Sequence, residues 1–190
     1  MNPKKDSYFL AVQSSAVIRI CAFLLLFVLE QAVYAQQTEQ KNLIFFTQKD
    51  GLSSYNVHKI IQDNKRFIWI ATQDGLNRFD GNKFTVYNKG MEHKKCLLSN
   101  DLRALIYDSI TQMLWVICNQ GGINGINILT GSVQYSIPYN NPYLEKEWRT
   151  GAVAMGKRIF IATSGGLEIF NTARLQFEDA GIYRARNSKN

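Results

Sequence analysis

The stretch "FIWIATQDGLNRFDGNKF", residues 67–84, decides the fold of this chain. It joins a continuous apolar run, FIWIAT, to a shorter strand pattern, LNRFD, through the polar turn QDG. A short apolar run that is rich in β-branched and aromatic residues and bounded by turns is typical of a strand buried on both faces. The sequence Asp80–Gly81–Asn82 then suits a tight hairpin, because Gly and Asn tolerate the positive φ that such a turn needs. The stretch therefore predicts short antiparallel strands.

The same pattern returns twice, as "MLWVICNQGGINGIN" from residue 113 and "RIFIATSGGLEIFN" from residue 158. In each copy an aromatic anchor lies within the apolar run and a glycine lies in the turn after it. These landmarks are Trp69, Trp115 and Phe160, with Gly75, Gly121 and Gly166. Both sets are spaced by 46 and then 45 residues. Because two independent landmarks keep one period, we interpret the pattern as an internal repeat.

Each repeat predicts four short antiparallel strands, which is the content of one β-propeller blade of about 40–50 residues. The predicted fold class is all-β, with about three four-stranded blades at residues 51–90, 97–139 and 147–181. A leading segment, 36–50, contains the lone strand pattern "NLIFFTQ", and a polar tail covers 182–190. A β-sandwich or an ordinary barrel is the alternative, but neither requires the long period. Three blades are too few to close a ring, so we expect an incomplete propeller.

The first 35 residues have the layout of a secretory signal peptide. Lys4, Lys5 and Arg19 precede the ten-residue apolar stretch Ile20–Leu29, and small residues then lead to an expected cleavage after Ala35. A membrane anchor is the alternative, but ten apolar residues are too few to span about 30 Å of hydrocarbon as a helix. We therefore expect the blades to be exported, and to meet a membrane only through parts outside this sequence.

The charge and cysteine content narrow the possible partners. The net charge is +7, but the basic residues are scattered instead of forming one face, so no nucleic-acid partner is expected. Outside the signal segment lie Cys96 and Cys118. An exported chain permits a disulfide between them. The favoured alternative is a buried Cys118 within the apolar run and an unrelated, exposed Cys96.

No catalytic, metal or cofactor site is predicted. His58 and His93 have no partner at metal-ligand spacing, and "GGINGI" is expected to be a turn between strands because no helix follows it. Three carboxylates recur at turns, where we expect them to cap the local backbone; they are Asp63, Asp74 and Asp80.

Loop aromatics are the candidate ligand contacts, because they could stack on sugar rings. Tyr139, Tyr143 and Trp148 lie in or beside "PYNNPYLEKEW", the least repeat-like segment, and Tyr55 lies in an earlier loop. The alternative is that these side chains pack beneath their own loops.

Residues Phe46–Asn88 closely resemble the two-component regulator propeller repeat. That repeat has a Gly-Leu-Ser opening, a strand ending in Gln-Asp, a Trp-Ile-x-Thr run and a Gly-Leu-x-Arg-Phe-Asp segment. The matching positions are Gly51–Ser53, Val57, Ile61, Asp63, Trp69–Thr72 and Gly75–Asp80. The second repeat departs from the pattern at residues 117–118 and 125–127, and the third has Phe160 in place of Trp. The resemblance covers residues 43–181 or thereabouts.

The resemblance implies the start of the periplasmic sensor region of a Bacteroidetes-type hybrid two-component histidine kinase. Such receptors carry propellers outside the inner membrane, and many detect oligosaccharides. The chain is then expected to be a non-enzymatic sensory fragment without kinase or output domains. It would bind an oligosaccharide or another small ligand and would complete its ring with the remaining blades or by self-association. The alternatives are an exported propeller enzyme acting on polysaccharides and a secreted carbohydrate- or protein-binding propeller.

Overall fold

The computed structural model describes residues 19–20, 23–27, 43–90, 96–139 and 148–178. The expected cleavage after Ala35, together with His93, Tyr143 and the tail 182–190, lies outside these ranges. The chain divides into two units, Met1–Ile44 and Phe45–Asn190. In the first unit residues 19–20 and 23–27 are helical. Among the described residues, no helix has the length and apolar character needed to cross a membrane.

Twelve strands in the described part of the second unit form three four-stranded antiparallel sheets, and each sheet follows chain order from its first strand to its last. Blade 1 contains β1 (Val57–Gln62), β2 (Ile68–Thr72), β3 (Gly75–Phe79) and β4 (Phe84–Tyr87). Blade 2 contains β5 (Leu102–Asp108), β6 (Met113–Cys118), β7 (Gly122–Asn127) and β8 (Ser132–Pro138). Blade 3 contains β9 (Arg149–Met155), β10 (Arg158–Thr163), β11 (Gly166–Asn171) and β12 (Gln176–Glu178). The prediction of three four-stranded propeller blades is confirmed.

Two hydrophobic cores hold the blades together. The first lies between blades 1 and 2, where Trp69 and Leu76 pack with Leu105 and Leu114. The second lies between blades 2 and 3, where Trp115 packs with residues of β10 and β11 such as Phe170. Face-to-face packing explains the unbroken apolar runs, because a strand with a neighbouring blade on each side needs two apolar faces.

The three equivalent apolar strands differ in burial because only the middle blade has a described neighbour on each side. All six residues of β6 are buried. In β2 and β10, buried side chains alternate with more exposed ones. The outer face of blade 3 therefore leaves Val153 61% exposed, and that of blade 1 leaves Ile60 57% exposed.

A leading strand was predicted over residues 42–48, but the described residues of that segment, 43–48, form no strand. Residues 43–47 have no strand partner, and Gln48–Asp50 form a short 3-10 helix. Thr47 and Asp50 build a capping box there, which satisfies the backbone amides locally instead of through a sheet. Phe46 packs its ring against Phe79 and Phe84 of blade 1, at centroid distances of 4.9 and 5.6 Å. This segment thus contacts blade 1 through a side chain instead of pairing as a strand.

In the second repeat the predicted turn glycine, Gly121, lies in the turn with a φ of 90°, and the next residue, Gly122, begins the third strand. Gly75, Gly122 and Gly166 each begin the third strand of their blade with positive φ, of 109°, 146° and 137°. The turn in blade 2 is one residue longer, so its third strand begins one residue after the predicted turn glycine. A Cβ at Gly122 would lie 2.1 Å from the carbonyl oxygen of Ile137. Only glycine fits at that position.

In blades 1 and 2 a buried asparagine on the third strand binds the segment that precedes the first strand. Asn77 accepts from the amide of Ser53 at 2.8 Å. Asn124, at the equivalent position, accepts from the amide of Leu98 at 3.0 Å. Blade 3 has Glu168 there, which binds the guanidinium of Arg149 instead. These bonds fix where the first strands begin, which positions the cavity described next.

Candidate ligand site at the start of the inner strands

An open cavity of about 380 Å3 lies where the first strands of the three blades begin. We call it the bulge cavity; its lining residues are Val57, His58, Arg103, Trp148, Arg149 and Thr150. All six belong to β1, β5 and β9 or immediately precede one of them. The volume falls within the range of small-molecule sites in proteins.

A β-bulge occurs at the same position in all three blades. Val57 and Lys59 face successive residues of β2, so His58 is left without a cross-strand partner. Arg103 is skipped in the same way between β5 and β6. Thr150 is skipped between β9 and β10. A bulge re-aims the extra side chain away from the regular alternation of the strand, and all three of these residues line the bulge cavity.

The bulged residues of blades 1 and 2 each reach the next blade. His58 donates from Nδ1 to the carbonyl oxygen of Leu102 at 2.7 Å, which fixes its neutral form as the Nδ1–H tautomer. The guanidinium carbon of Arg103 lies 5.4 Å from the ring centroid of Trp148. Arg103 Nη2 also donates to Asp101 Oδ2 at 2.9 Å. The site is thus formed by contacts between blades and not within one blade.

Two polar atoms beside the cavity are buried without a hydrogen-bond partner. They are Arg103 Nε and Asp101 Oδ1. Asp101 Oδ2 is shared, because it accepts from Arg103 and also from Asn119 Nδ2 at 2.9 Å. A buried polar group without a partner costs about 1–3 kcal/mol, so the Arg103–Asp101 pair beside the cavity is incompletely hydrogen-bonded.

Arg149 has a structural role at the edge of the site. Its Nη2 donates to Glu168 Oε1 at 2.8 Å, and its Nη1 donates to the carbonyl oxygen of Asn119 at 2.8 Å. The side chains of Arg149 and Glu168 are 0% and 3% exposed. The guanidinium also lies over the ring of Tyr139, 3.7 Å from its centroid. Arg149 therefore joins blade 3 to blade 2 and is already bound by protein groups.

The structure separates the aromatic residues that the sequence grouped together. Trp148 lines the bulge cavity and is 60% exposed. Tyr139 is buried; its hydroxyl donates to the carbonyl oxygen of Cys118 at 2.7 Å, and burial raises the pKa of that hydroxyl. Tyr139 follows β8 directly, but its ring packs in the core between blades 2 and 3 and does not line the bulge cavity. Tyr55 is exposed but does not line the cavity, and Tyr143 lies outside the described residues.

Sequence reasoning missed the bulged residues. It considered His58 only as a possible metal ligand and did not single out Arg103 or Thr150. These positions come together only after the strands are paired, because the bulge is a property of register and not of residue type. Once the strands are assigned, all three residues occupy the second position of the first strand of their blade.

The predicted turn carboxylates have two different roles. Asp63 accepts from the amides of Lys65 and Phe67 and Asp80 from those of Asn82 and Lys83, which confirms backbone capping at both. Hydrogen bonds from the two amides lower the pKa of Asp80. Asp74 is different: its Oδ1 accepts from Asn100 Nδ2 at 3.0 Å, which links blade 1 to blade 2.

The two cysteines among the described residues, Cys96 and Cys118, are free thiols. Cys118 is buried, as expected, and burial raises its pKa to about 12. Cys96 is partly buried and not exposed. Within the described ranges, no three His, Cys, Asp or Glu side chains are grouped so as to hold a metal ion.

Comparison with known proteins shows similarity to the extracellular domains of hybrid two-component systems. No family model matches the chain. A 58-residue stretch is 41% identical to Histidine kinase P4 of Formosa agariphila, covering 30% of this chain and 4% of that protein. The fold is similar to the extracellular domain assigned to the hybrid two component system BT3049 of B. thetaiotaomicron, with 27% identity and a TM-score of 0.58. That match covers 72% of this chain and 20% of the other.

A second extracellular domain, assigned to the hybrid two component system BT4673 of B. thetaiotaomicron, shares the fold at 16% identity and a TM-score of 0.58. That match covers 75% of this chain and 21% of the other. The chain therefore spans about one fifth of these extracellular domains. It is a set of β-propeller blades similar to the extracellular regions of hybrid two-component systems, as the repeat motif indicated. These similar domains support export.

Proposed function

We propose that the chain is an extracytoplasmic sensory segment of a two-component signal-transduction receptor, on the periplasmic side of the inner membrane. The observation that carries this proposal is the shared propeller fold, at 27% identity, with the extracellular domain of a hybrid two-component system. The local identity of 41% to a histidine kinase supports the same assignment. The kinase and output domains then lie outside these 190 residues, and the segment itself performs no reaction.

Ligand binding is assigned to the bulge cavity, where the segment takes an oligosaccharide or another small molecule. The cavity is formed by one bulged residue from each of the three blades. A ligand that contacts His58, Arg103 and Thr150 bridges all three blades at once. Its binding energy then favours the blade arrangement to which it binds best, which is the physical requirement for passing a signal.

A thermal-shift screen of the purified chain against a panel of neutral and acidic oligosaccharides tests ligand binding. A ligand at one hundred times its Kd stabilises the folded state by about 2.7 kcal/mol. For a unit of this size that corresponds to a rise in Tm of roughly 5–10 °C. Chromatography of the same mixtures checks for products. Cleaved saccharide would contradict the sensory proposal and support a propeller enzyme.

Signalling is tested in the organism that carries the gene. Deleting the reading frame should abolish the transcriptional response to the saccharide that raises Tm, and complementation should restore it. An intact response in the deletion strain would contradict a receptor role even if the ligand binds.

The exposed outer faces of blades 1 and 3 support a further part of the proposal, that more blades of the receptor cover them. Ile60, Val153 and Met155 are 57%, 61% and 69% exposed there. Burying such side chains is favourable by about 1.5–3 kcal/mol each. Light scattering after size-exclusion chromatography distinguishes the two ways of covering them. A defined oligomer would show self-association instead of completion by further blades.

A further inference from the structure

We propose that the bulge cavity binds a saccharide that carries an acidic group, with the carboxylate or sulfate on Arg103 and a sugar-ring face on Trp148. This inference rests on the proposed ligand-binding function and adds the chemical class of the ligand. It draws on the charge of the lining, on the incomplete bonding of Arg103, and on the exposed indole beside it.

The lining of the bulge cavity contains basic side chains. Its six residues include two arginines and one histidine but no carboxylate. Each arginine already pairs with a carboxylate, Arg149 with Glu168 and Arg103 with Asp101. The Arg149 side chain is 0% exposed, so the guanidinium that a ligand can reach is that of Arg103, whose side chain is 21% exposed. Such a surface favours an anion over a neutral molecule of the same shape.

Arg103 has the donors to bind that anion. In the part of the chain that the structure describes, its guanidinium makes one hydrogen bond, to Asp101 Oδ2. That oxygen is shared with Asn119, and Arg103 Nε has no partner. A guanidinium presents five N–H groups in a planar fork that matches the oxygens of a carboxylate or sulfate. Arg103 can therefore hold a second acidic group without releasing Asp101.

Trp148 supplies a surface for the uncharged part of the ligand. At the equivalent position, immediately before the first strand, blades 1 and 2 have the polar residues Asn56 and Asp101. The backbone of Trp148 is fixed on both sides by Ser164, which accepts from its amide at 3.1 Å and donates to its carbonyl at 2.9 Å. A 60% exposed indole on a fixed backbone offers an apolar face against which the C–H groups of a pyranose can pack.

Hydroxyl partners are available on either side of these two residues. The Thr150 hydroxyl lines the cavity. In the neutral Nδ1–H tautomer, His58 keeps the lone pair of Nε2 for a donor. A saccharide uses both kinds of group, whereas a planar aromatic acid would use only the arginine and the indole. The polar groups therefore favour an acidic sugar.

The test compares three pyranoses that differ only at C6: glucuronate, glucose 6-sulfate and glucose. Binding to the purified full chain is measured by ligand-observed NMR titration, with benzoate as an aromatic acid of similar size. We expect one or both acidic sugars to bind at least about tenfold more tightly than glucose, as one charge-assisted hydrogen bond implies. We also expect benzoate to bind more weakly than the better acidic sugar. The two acidic sugars show whether carboxylate or sulfate is preferred.

Two arginine variants locate the effect. Arg103→Gln should remove the preference for acidic sugars over glucose. Arg158→Gln is the matched control, because Arg158 also pairs with a carboxylate, Glu178 at 2.7 Å, but does not line the cavity. Circular dichroism confirms that each variant is folded, and Arg103→Lys serves in place of the Gln variant if that variant unfolds. Lysine keeps the charge but loses the fork, so a reduced preference is expected.

Three results would overturn the inference. Glucose binding as tightly as both acidic sugars would do so while leaving the sensory proposal intact. An equal loss in Arg103→Gln and Arg158→Gln would show general attraction to a positive chain. Benzoate binding more tightly than either sugar would show an aromatic-acid site. If no saccharide binds and the broader oligosaccharide panel also produces no thermal shift, ligand binding at this segment fails altogether.

Discussion

The two equivalent tryptophans allow one hydrogen bond to be measured against an internal reference. Trp69 is 0% exposed and donates from Nε1 to Asp63 Oδ2 at 2.7 Å. Trp115 occupies the same position of the next blade and is 3% exposed, but its Nε1 is buried without a partner. The corresponding carboxylate, Asp108, is used by its own turn, where it accepts from Ile110 and Thr111. Asp108 and Trp115 are seven positions apart in the sequence, whereas Asp63 and Trp69 are six apart.

Substituting each tryptophan with phenylalanine should therefore lower the free energy of unfolding by unequal amounts. Trp69→Phe and Trp115→Phe remove the same atoms from similarly buried sites, so their cavity costs are comparable. Trp69→Phe also leaves Asp63 Oδ2 without its donor, which adds about 1.5–3 kcal/mol for a hydrogen bond to a charged group. Trp115→Phe removes a buried donor that has no partner and so regains part of its cost. We expect Trp69→Phe to be the more destabilising by about 2 kcal/mol, or roughly 4–8 °C in Tm.

Urea unfolding followed by circular dichroism measures both free energies without relying on tryptophan fluorescence. Asp63→Ala in the Trp69→Phe background should cost less than Asp63→Ala alone, because the two residues share one bond. Equal losses from the two Trp→Phe substitutions would refute the reasoning. So would additive effects of Asp63→Ala and Trp69→Phe.

Three other substitutions test the packing and the turns. Between pH 9 and pH 10 the free energy of unfolding should fall by up to about 1.4 kcal/mol more in the native chain than in Cys118→Ala. The reason is that burial raises the pKa of Cys118 in the folded state to about 12, above its unfolded value. The stability contributed by the protonated thiol is therefore complete below pH 9 and is lost as the pH rises towards 12. Urea unfolding at each pH measures this loss. In thermal melts, Gly122→Ala should destabilise the protein far more than Gly81→Ala. A Cβ at Gly122 would meet backbone atoms, whereas a Cβ at Gly81 would meet nothing within 4 Å. Gly81→Ala should therefore cost about 1–2 kcal/mol, from its positive φ alone. Arg149→Met should cost about 3–5 kcal/mol by leaving Glu168 buried without its cation, and restoration of Tm by Arg149→Met with Glu168→Leu would show that the charge and not the packing is responsible.

The sequence predicted the blades well because their determinants are local. Apolar runs, turn residues and a long period are all visible in one dimension, and they predicted the three four-stranded antiparallel sheets. The capping roles of Asp63 and Asp80 were predictable for the same reason, since each carboxylate binds amides two to four residues away.

Properties that depend on neighbouring blades could not be predicted in this way. The runs that form β2, β6 and β10 are similarly apolar, yet only β6 is buried throughout. Tyr139 resembled an available loop aromatic because nothing local shows that the Arg149 guanidinium lies over its ring. Asp74 resembled a turn cap, but its partner is Asn100 on the next blade. In each case the deciding contact is with a residue distant in sequence.

The bulge cavity shows how a repeated scaffold can keep its geometry while its chemistry changes. The bulge has the same register in every blade, so the backbone directs one side chain per blade to the same opening. The residues at that position differ completely in chemistry: an imidazole at His58, a guanidinium at Arg103 and a hydroxyl at Thr150. Core positions cannot vary in this way, because each must fit the adjacent blade. Specificity in such a propeller is therefore expected at positions where the backbone repeats and the side chains do not.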